Sequence, residues 1–167
     1  AALQVQGQLL HLLRQQGGAV DLGDAQRAVR LVILGRGPGE QGLTELAAQL
    51  GVTDDFQLPG HVRNPYAWFS RASVFVLSSA WEGSPNVLTE ALALGVPVVA
   101  TDCPSGPREI LDGGRYGPLV PVGDSAAMAA AIERTLDKPL TAEFLKQAVT
   151  SYTQSESARA YLDAMGF

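Results

Sequence analysis

Short apolar runs alternate with amphipathic helical patterns along most of the chain, and this alternation constrains the fold more than any other feature. Two of the runs, "SVFVLSS" and "VPVVATD", are apolar at consecutive positions, which is typical of parallel strands covered on both faces. The predicted strands are 29–35, 56–60, 74–78, 96–101 and 119–122. The predicted helices are 40–50, 65–72, 85–94, 125–136, 142–150 and 155–165. Together they predict an α/β fold with a doubly wound parallel sheet, and leave "GGAVDLGDAQ" as a loose loop.

Composition narrows the classes of function. The chain has 167 residues with 46% hydrophobic content, enough for one domain with a buried core. A net charge of −5 gives no general basic field, so we expect no nucleic-acid partner. One cysteine, Cys103, and two distant histidines, His11 and His61, show no metal-ligand spacing. No signal peptide or membrane span is apparent in the sequence, which predicts a cytoplasmic protein.

The loop after the first predicted strand contains Gly37-x-Gly39-x-x-Gly42, the spacing of a dinucleotide-binding fingerprint. Such a fingerprint needs an acidic residue about 20 positions later, at the end of the next strand. Here that strand runs into "GHVR", and the nearest acidic residues, Asp54 and Asp55, precede it. The pattern therefore favours an ordinary glycine-rich turn over an NAD site, and a turn beside a bound nucleotide stays open.

The loop after the second strand, "GHVRNP", offers His61 and Arg63 as candidate binding residues. Asn64 is predicted to cap the helix that follows, with Pro65 at its first position. A solvated loop without function is an equal alternative for His61 and Arg63.

The loop after the third strand carries the strongest signal. In "WEGSPNVLTE", Gly83 permits close backbone approach, Ser84 is a predicted helix cap, and Pro85 suits the first helical position. The backbone N–H groups of Asn86 and Val87 have no earlier partner in the helix. Free N–H groups at the positive end of a helix dipole predict an anion site, well suited to a pyrophosphate.

Two carboxylates frame this helix start, Glu82 just before it and Glu90 inside it. An ionised carboxylate only accepts hydrogen bonds, and it can take two neighbouring hydroxyl donors of a sugar side by side. A phosphate site between two such acids predicts a sugar-nucleotide site. The alternative is a loop charge at Glu82 and a solvated helix residue at Glu90.

The stretch "WEGSPNVLTEALALGVPVVATDCPSGPREIL", with "DGGRYGPLVP" and "GD" after it, resembles the donor-binding domain of retaining GT-B glycosyltransferases of group 1, also called family 4. Glu82 and Glu90 match the E-x7-E motif of that family. The resemblance covers the chain from Val29 onward. It implies a Rossmann-like C-terminal half of a GT-B fold, with residues 1–167 forming a single donor-binding domain. It also implies that the N-terminal acceptor domain and the first strand of this domain are absent.

The resemblance implies transfer of a hexosyl group from a nucleotide diphosphate sugar to an acceptor hydroxyl with retention of configuration. The expected setting is bacterial polysaccharide, lipopolysaccharide or glycolipid synthesis. Glu82 would be the catalytic residue, in contact with hydroxyls of the donor sugar, and Glu90 would hold the ribose. The pyrophosphate and hexose would lie on the backbone of Gly83, Ser84, Pro85, Asn86 and Val87. The base would lie near His61, Val62, Arg63, Gly35 and Arg36. Neither a metal nor another cofactor is expected.

The sequence departs from the family in one respect. Group 1 enzymes usually carry an Arg and a Lys just upstream of the first helix of this domain, and "AALQVQGQLLHLLRQQ" matches neither. Arg36, Arg63 and Arg108 remain as candidate cations. We therefore expect this chain alone to bind donor weakly and to be inactive, with a sugar or lipid-linked acceptor bound by the missing domain. Peripheral contact of the intact enzyme with the inner face of the membrane stays open.

Three other classes stay open at this point. One is another GT-B enzyme, such as a sugar-nucleotide epimerase. The second is a non-catalytic, transferase-like binding module, and the third is an NAD-dependent oxidoreductase. The first two differ in that the enzyme requires nucleotide binding and the module does not.

Overall fold

The computed structural model describes residues 19–21 and 26–166. The stretch "AALQVQGQLLHLLRQQ" at the start of the chain lies outside the described residues. The strands are β1 (Ala19–Asp21), β2 (Gln26–Ala28), β3 (Leu31–Leu34), β4 (Phe56–Gly60), β5 (Phe75–Leu77), β6 (Val98–Thr101) and β7 (Leu119–Val120). The helices are α1 (Glu40–Leu50), α2 (Tyr66–Phe69), α3 (Asn86–Ala93), α4 (Pro107–Ile110), α5 (Ser125–Asp137), α6 (Ala142–Gln147) and α7 (Gln154–Ala164). Every predicted strand and helix is present, most of them slightly shorter than predicted.

The strands form three groups. β3 pairs with β4 in parallel, and β5, β6 and β7 form a parallel sheet in that order. β1 and β2 form an antiparallel hairpin, so the prediction of a loose loop over residues 17–26 is wrong for residues 19–21 and for Gln26. Those strands are three residues each and carry a charged residue each, which gave no apolar run to recognise. The predicted parallel α/β architecture is confirmed.

Helices cover both faces of the three-stranded sheet. β6 is buried along its whole length. Val98 and Ala100 pack with residues of α3, α4 and α6, whereas Val99 packs with residues of α5 on the other face. Successive side chains of a strand point to opposite faces. β6 is therefore the central strand of a sheet with a helical layer on each face, as in a doubly wound domain. A third cluster joins α1 to β3 and β4.

Two helix starts differ from prediction by one residue. α3 begins at Asn86, and Pro85 takes the cap position with extended backbone, φ −74° and ψ 93°. Ser84 therefore lies one residue too early to cap the helix, and no side chain caps it. α2 likewise begins after Pro65, with no capping hydrogen bond from Asn64. Among the described residues, no helix combines the length and the hydrophobicity that a membrane span needs.

Candidate functional site

The carboxyl ends of the strands set the place of the candidate site, since parallel strands present their following loops at one edge. Glu82 lies in the loop between β5 and α3. The Ser79 hydroxyl donates a hydrogen bond to Glu82 Oε1 at 2.6 Å. The Thr101 hydroxyl, at the end of β6, donates to the Ser79 carbonyl at 2.5 Å and also contacts the Leu77 carbonyl at 3.3 Å. Thr101 is only 1% exposed. A buried strand therefore fixes the loop that carries Glu82.

Glu90 is held by a second hydroxyl. It lies half-buried in α3, and the Tyr66 hydroxyl at the start of α2 donates to Glu90 Oε1 at 3.2 Å. The charge of Glu90 and this hydrogen bond both raise the pKa of Tyr66 above its usual 10.0. The phenol is therefore neutral at pH 7, and it can donate.

The start of α3 carries free backbone donors. The N–H of Leu88 donates to the carbonyl of the cap residue, Pro85. The N–H groups of Asn86 and Val87 precede it, and the first turn holds no acidic side chain. Because Pro85 has no side-chain acceptor, the observed cap leaves these donors available to an anion. Asn86 and Val87 are exposed, as are Gly83 and Ser84, whereas Pro85 is buried.

The loop after β6 packs directly against this helix start. Gly106 has φ +81°, and a Cβ there would lie 2.5 Å from Pro85 Cδ and 2.8 Å from the Gly83 carbonyl oxygen. Cys103 in the same loop is buried. Burial, followed by the nearby charge of Glu82, raises the pKa of the Cys103 thiol above its usual 9.0. The loops after β5 and β6 thus form one packed unit around Glu82.

The other predicted residues lie at the carboxyl ends of β3 and β4. The Gly35 N–H donates to the Gly60 carbonyl at 2.9 Å, and Arg36 Nε lies 3.1 Å from the position a Cβ of Gly60 would take. The turn after β3 therefore lies against the end of β4. His61 and Arg63 are exposed, and Val62 is half-buried. We call residues 61–65 the His61 loop.

The candidate cations differ in their partners. Arg108 forms an ion pair with Asp102, through Nε to Oδ1 at 3.0 Å and through a second contact from Nη2 to Oδ2. Arg36 and Arg63 form no ion pair with any described residue. Within the described part of the chain, no three His, Cys, Asp or Glu side chains cluster closely enough to hold a metal ion. That no metal takes part stays a prediction.

Sequence reasoning missed four residues of this region. Tyr66 and Thr101 act through contacts with residues 24 and 22 positions away, which no local motif encodes, whereas Ser79 lies only three residues before Glu82. Trp81, next to Glu82, is 74% exposed, although an aromatic residue beside the motif could have been noticed. Trp68, in α2, is 39% exposed.

Comparisons with known proteins identify the family of the chain. The family model described as Glycosyl transferases group 1 matches residues 8–138. An N-acetylgalactosamine-N,N'-diacetylbacillosaminyl-diphospho-undecaprenol 4-alpha-N-acetylgalactosaminyltransferase of Campylobacter jejuni is 31% identical over 140 residues, covering 83% of this chain and 38% of that protein. A lipopolysaccharide core biosynthesis glycosyltransferase of Rhizobium meliloti is 30% identical over 138 residues, covering 80% and 40% respectively.

Solved structures show the same fold. The apo form of a lipopolysaccharide outer core galactosyltransferase aligns with a TM-score of 0.79 at 20% identity, covering 95% of this chain and 43% of that chain. The present chain thus spans about two fifths of the length of these relatives. The α/β domain is a Rossmann-like unit of the kind that forms the C-terminal half of a GT-B glycosyltransferase.

Proposed function

The chain belongs to the glycosyl transferases of group 1, and we propose from this that it is the donor-binding unit of a retaining, family 4 hexosyltransferase. The observation that carries the proposal is the start of α3, where free backbone N–H groups lie between the carboxylates of Glu82 and Glu90. Each of the two carboxylates accepts a hydrogen bond from a hydroxyl. A helix start offers donors to a diphosphate, and the carboxylates offer acceptors to hydroxyl groups on either side of it.

The proposed ligand is a nucleotide diphosphate sugar. Its diphosphate and sugar would lie along the backbone of residues 83–87. Glu82 would contact hydroxyls of the sugar as the catalytic residue, and Glu90 would accept hydrogen bonds from the ribose. The base would lie towards the His61 loop and the turn at Gly35 and Arg36. We propose no metal in this scheme.

In the proposed reaction the bond between the anomeric carbon and the diphosphate oxygen breaks, and its electron pair stays on the diphosphate. The acceptor hydroxyl gives its proton to the departing diphosphate oxygen and forms the new bond to the anomeric carbon on the face that keeps the configuration. Charge develops on the departing diphosphate, so donors already aimed at it lower the barrier. The N–H groups of Asn86 and Val87 supply such donors.

The remaining parts of the scheme concern the intact protein. We propose that an acceptor domain precedes this one, because the relatives are more than twice as long.

We also propose that one more strand lies between β3 and β5. Numbered from the domain's own first strand, the order in a doubly wound sheet is 3-2-1-4-5-6. The pair β4-β3 corresponds to strands 3-2 of that order, and β5-β6-β7 corresponds to strands 4-5-6. No strand pairing joins β3 to β5 in the described residues, and the proposed strand would take the place of strand 1.

The relatives named above take part in lipopolysaccharide core synthesis or transfer a sugar to an undecaprenol-linked saccharide. By analogy, we propose a cytoplasmic reaction in polysaccharide, lipopolysaccharide or glycolipid synthesis, with a sugar or lipid-linked acceptor and contact with the inner face of the membrane. This chain alone would bind donor without transferring it.

Calorimetric titration with UDP, GDP, ADP and UDP-sugars tests the proposal. We expect one nucleoside diphosphate to bind, and Glu90→Ala to weaken that binding by about 1–3 kcal/mol, the size of a lost hydrogen bond to a charged group. Glu143→Ala, which removes an exposed carboxylate from α6, is the matched control and should bind as the parent does. No binding of any of these ligands at millimolar concentration would contradict the proposal and favour a non-catalytic module.

A further inference from the structure

Tyr66, whose hydroxyl donates to Glu90, is a side chain outside the motif. We propose that Tyr66 is a positioning residue, whose hydroxyl fixes the Glu90 carboxylate so that its other oxygen faces the ribose of the donor nucleotide. This inference rests on the proposed function, because it assigns a ribose to Glu90.

The position of the Tyr66 ring is set from the core. Its ring lies edge-on to Phe69, with centroids 6.5 Å apart, and Phe69 packs against Phe75 at 5.1 Å. Phe75 belongs to β5 and packs against the buried cluster of α3 and β6. Although Tyr66 is 47% exposed, a chain of aromatic contacts thus determines where its hydroxyl lies.

The hydrogen bond to Glu90 leaves one carboxylate oxygen free. Tyr66 donates to Oε1 at 3.2 Å, and no other described residue donates a hydrogen bond to this carboxylate. A half-buried glutamate side chain such as that of Glu90 can adopt more than one rotamer, so a fixed donor at Oε1 selects among them. In the selected rotamer, Oε2 is already in position to accept a hydrogen bond before the ligand binds.

Tyr66 also links the two parts of the candidate site. It directly follows the His61 loop, on the proposed base side, and Glu90 belongs to the helix whose start is the proposed diphosphate site. A donor nucleotide that spans these two parts would place its ribose between them. Tyr66 is the described side chain that joins the two by a hydrogen bond.

The test compares ribose with a sugar that lacks both hydroxyls. The probes are UDP, GDP and ADP, each measured against its 2′,3′-dideoxy counterpart by calorimetry. We expect the parent chain to prefer the ribose form of the nucleotide that binds. Tyr66→Phe keeps the ring and its aromatic contacts, so we expect it to fold normally and to lower this preference roughly two- to tenfold, the range of one modest hydrogen bond.

Two further variants separate positioning from structure. Glu90→Gln should lower the preference at least as far, and the double variant Tyr66→Phe/Glu90→Gln should match Glu90→Gln alone, because Tyr66 acts through Glu90. Tyr152→Phe removes a hydroxyl of equal exposure elsewhere, 46% against 47%, and should leave the preference unchanged.

The outcomes distinguish this inference from the proposed function. Nucleotide binding with the same ribose preference in Tyr66→Phe as in the parent overturns the inference and leaves the proposed function intact. Additive effects in the double variant overturn it as well. If the parent binds the ribose and dideoxy forms equally, the role of Glu90 fails and the inference fails with it. If no nucleotide binds, both fail.

Discussion

The loops that follow β5 and β6 are tied to the core, whereas those that follow β3 and β4 are largely open to solvent. Thr101 and Ser79 fix Glu82, and Gly106 packs against Pro85 with no room for a side chain. By contrast, His61 and Arg63 are exposed, and the four residues of β3 are only half-buried. The comparison indicates that the proposed sugar and diphosphate part is built before the ligand arrives, and the proposed base part is not.

Two glycines test this difference most strongly. Gly106→Ala combines φ +81° with backbone and proline contacts that cannot move easily. We expect it to lower the free energy of unfolding by about 2–4 kcal/mol, from backbone strain and overpacking together. Gly60→Ala has a similar φ of +75°, but its Cβ would meet only the end of the Arg36 side chain. It should cost about 1–2 kcal/mol. Urea unfolding measures both, and equal losses would break the comparison.

The buried hydroxyl of Thr101 provides the next test. Thr101→Val leaves the Ser79 carbonyl without this donor, and we expect it to lower the free energy of unfolding by about 1–3 kcal/mol. It should also weaken nucleotide-sugar binding, because the loop carrying Glu82 loses its attachment to β6. Thr135→Val removes a hydroxyl that donates to its own helix at the Ala131 carbonyl, and should leave binding unchanged. A Thr101→Val chain with normal donor affinity would show that this attachment does not position Glu82.

Cys103 reports on the charge of Glu82. Burial and Glu82 raise the thiol pKa above 9.0, so Glu82→Gln should lower it, and thiol modification should begin at a lower pH. Glu90→Gln is the control and should leave the modification profile in place. The same pKa shift makes the free energy of unfolding depend on pH. The contribution of the protonated thiol to stability is complete below pH 9.0 and is lost as pH rises through the higher folded pKa. A profile unchanged by Glu82→Gln would place Glu82 too far from the thiol to influence it.

The smallest effect is expected on the open side. Arg63 is exposed and pairs with no described acid. Arg63→Ala should therefore change the free energy of unfolding by less than about 0.5 kcal/mol, while titration shows a change in which nucleotide base is preferred. A marked loss of stability would mean that the His61 loop is packed rather than open.

Local patterns predicted the architecture well, whereas the roles of the candidate residues stay predictions. Continuous apolar runs located β5 and β6, because a strand covered on both faces does not tolerate alternate polar residues. They failed where geometry depends on backbone detail or on distant partners. Ser84 was expected to cap α3, but the extended backbone of Pro85 moved the cap one residue on. The contacts of Tyr66 and Thr101 join residues 22 to 24 positions apart, which single-sequence patterns do not reveal.

The exposure of Trp81 has an optical consequence. Indole emission lies at longer wavelengths in water than in an apolar environment, so a side chain that is 74% exposed should emit near the wavelength of free tryptophan. Trp68, at 39% exposure, is better shielded and should emit to the blue of it. Since Trp81 adjoins Glu82, a ligand or chain segment that covers Trp81 at this edge of the sheet would shift its emission to shorter wavelengths. The emission wavelength of Trp81 therefore reports whether water is excluded from that edge.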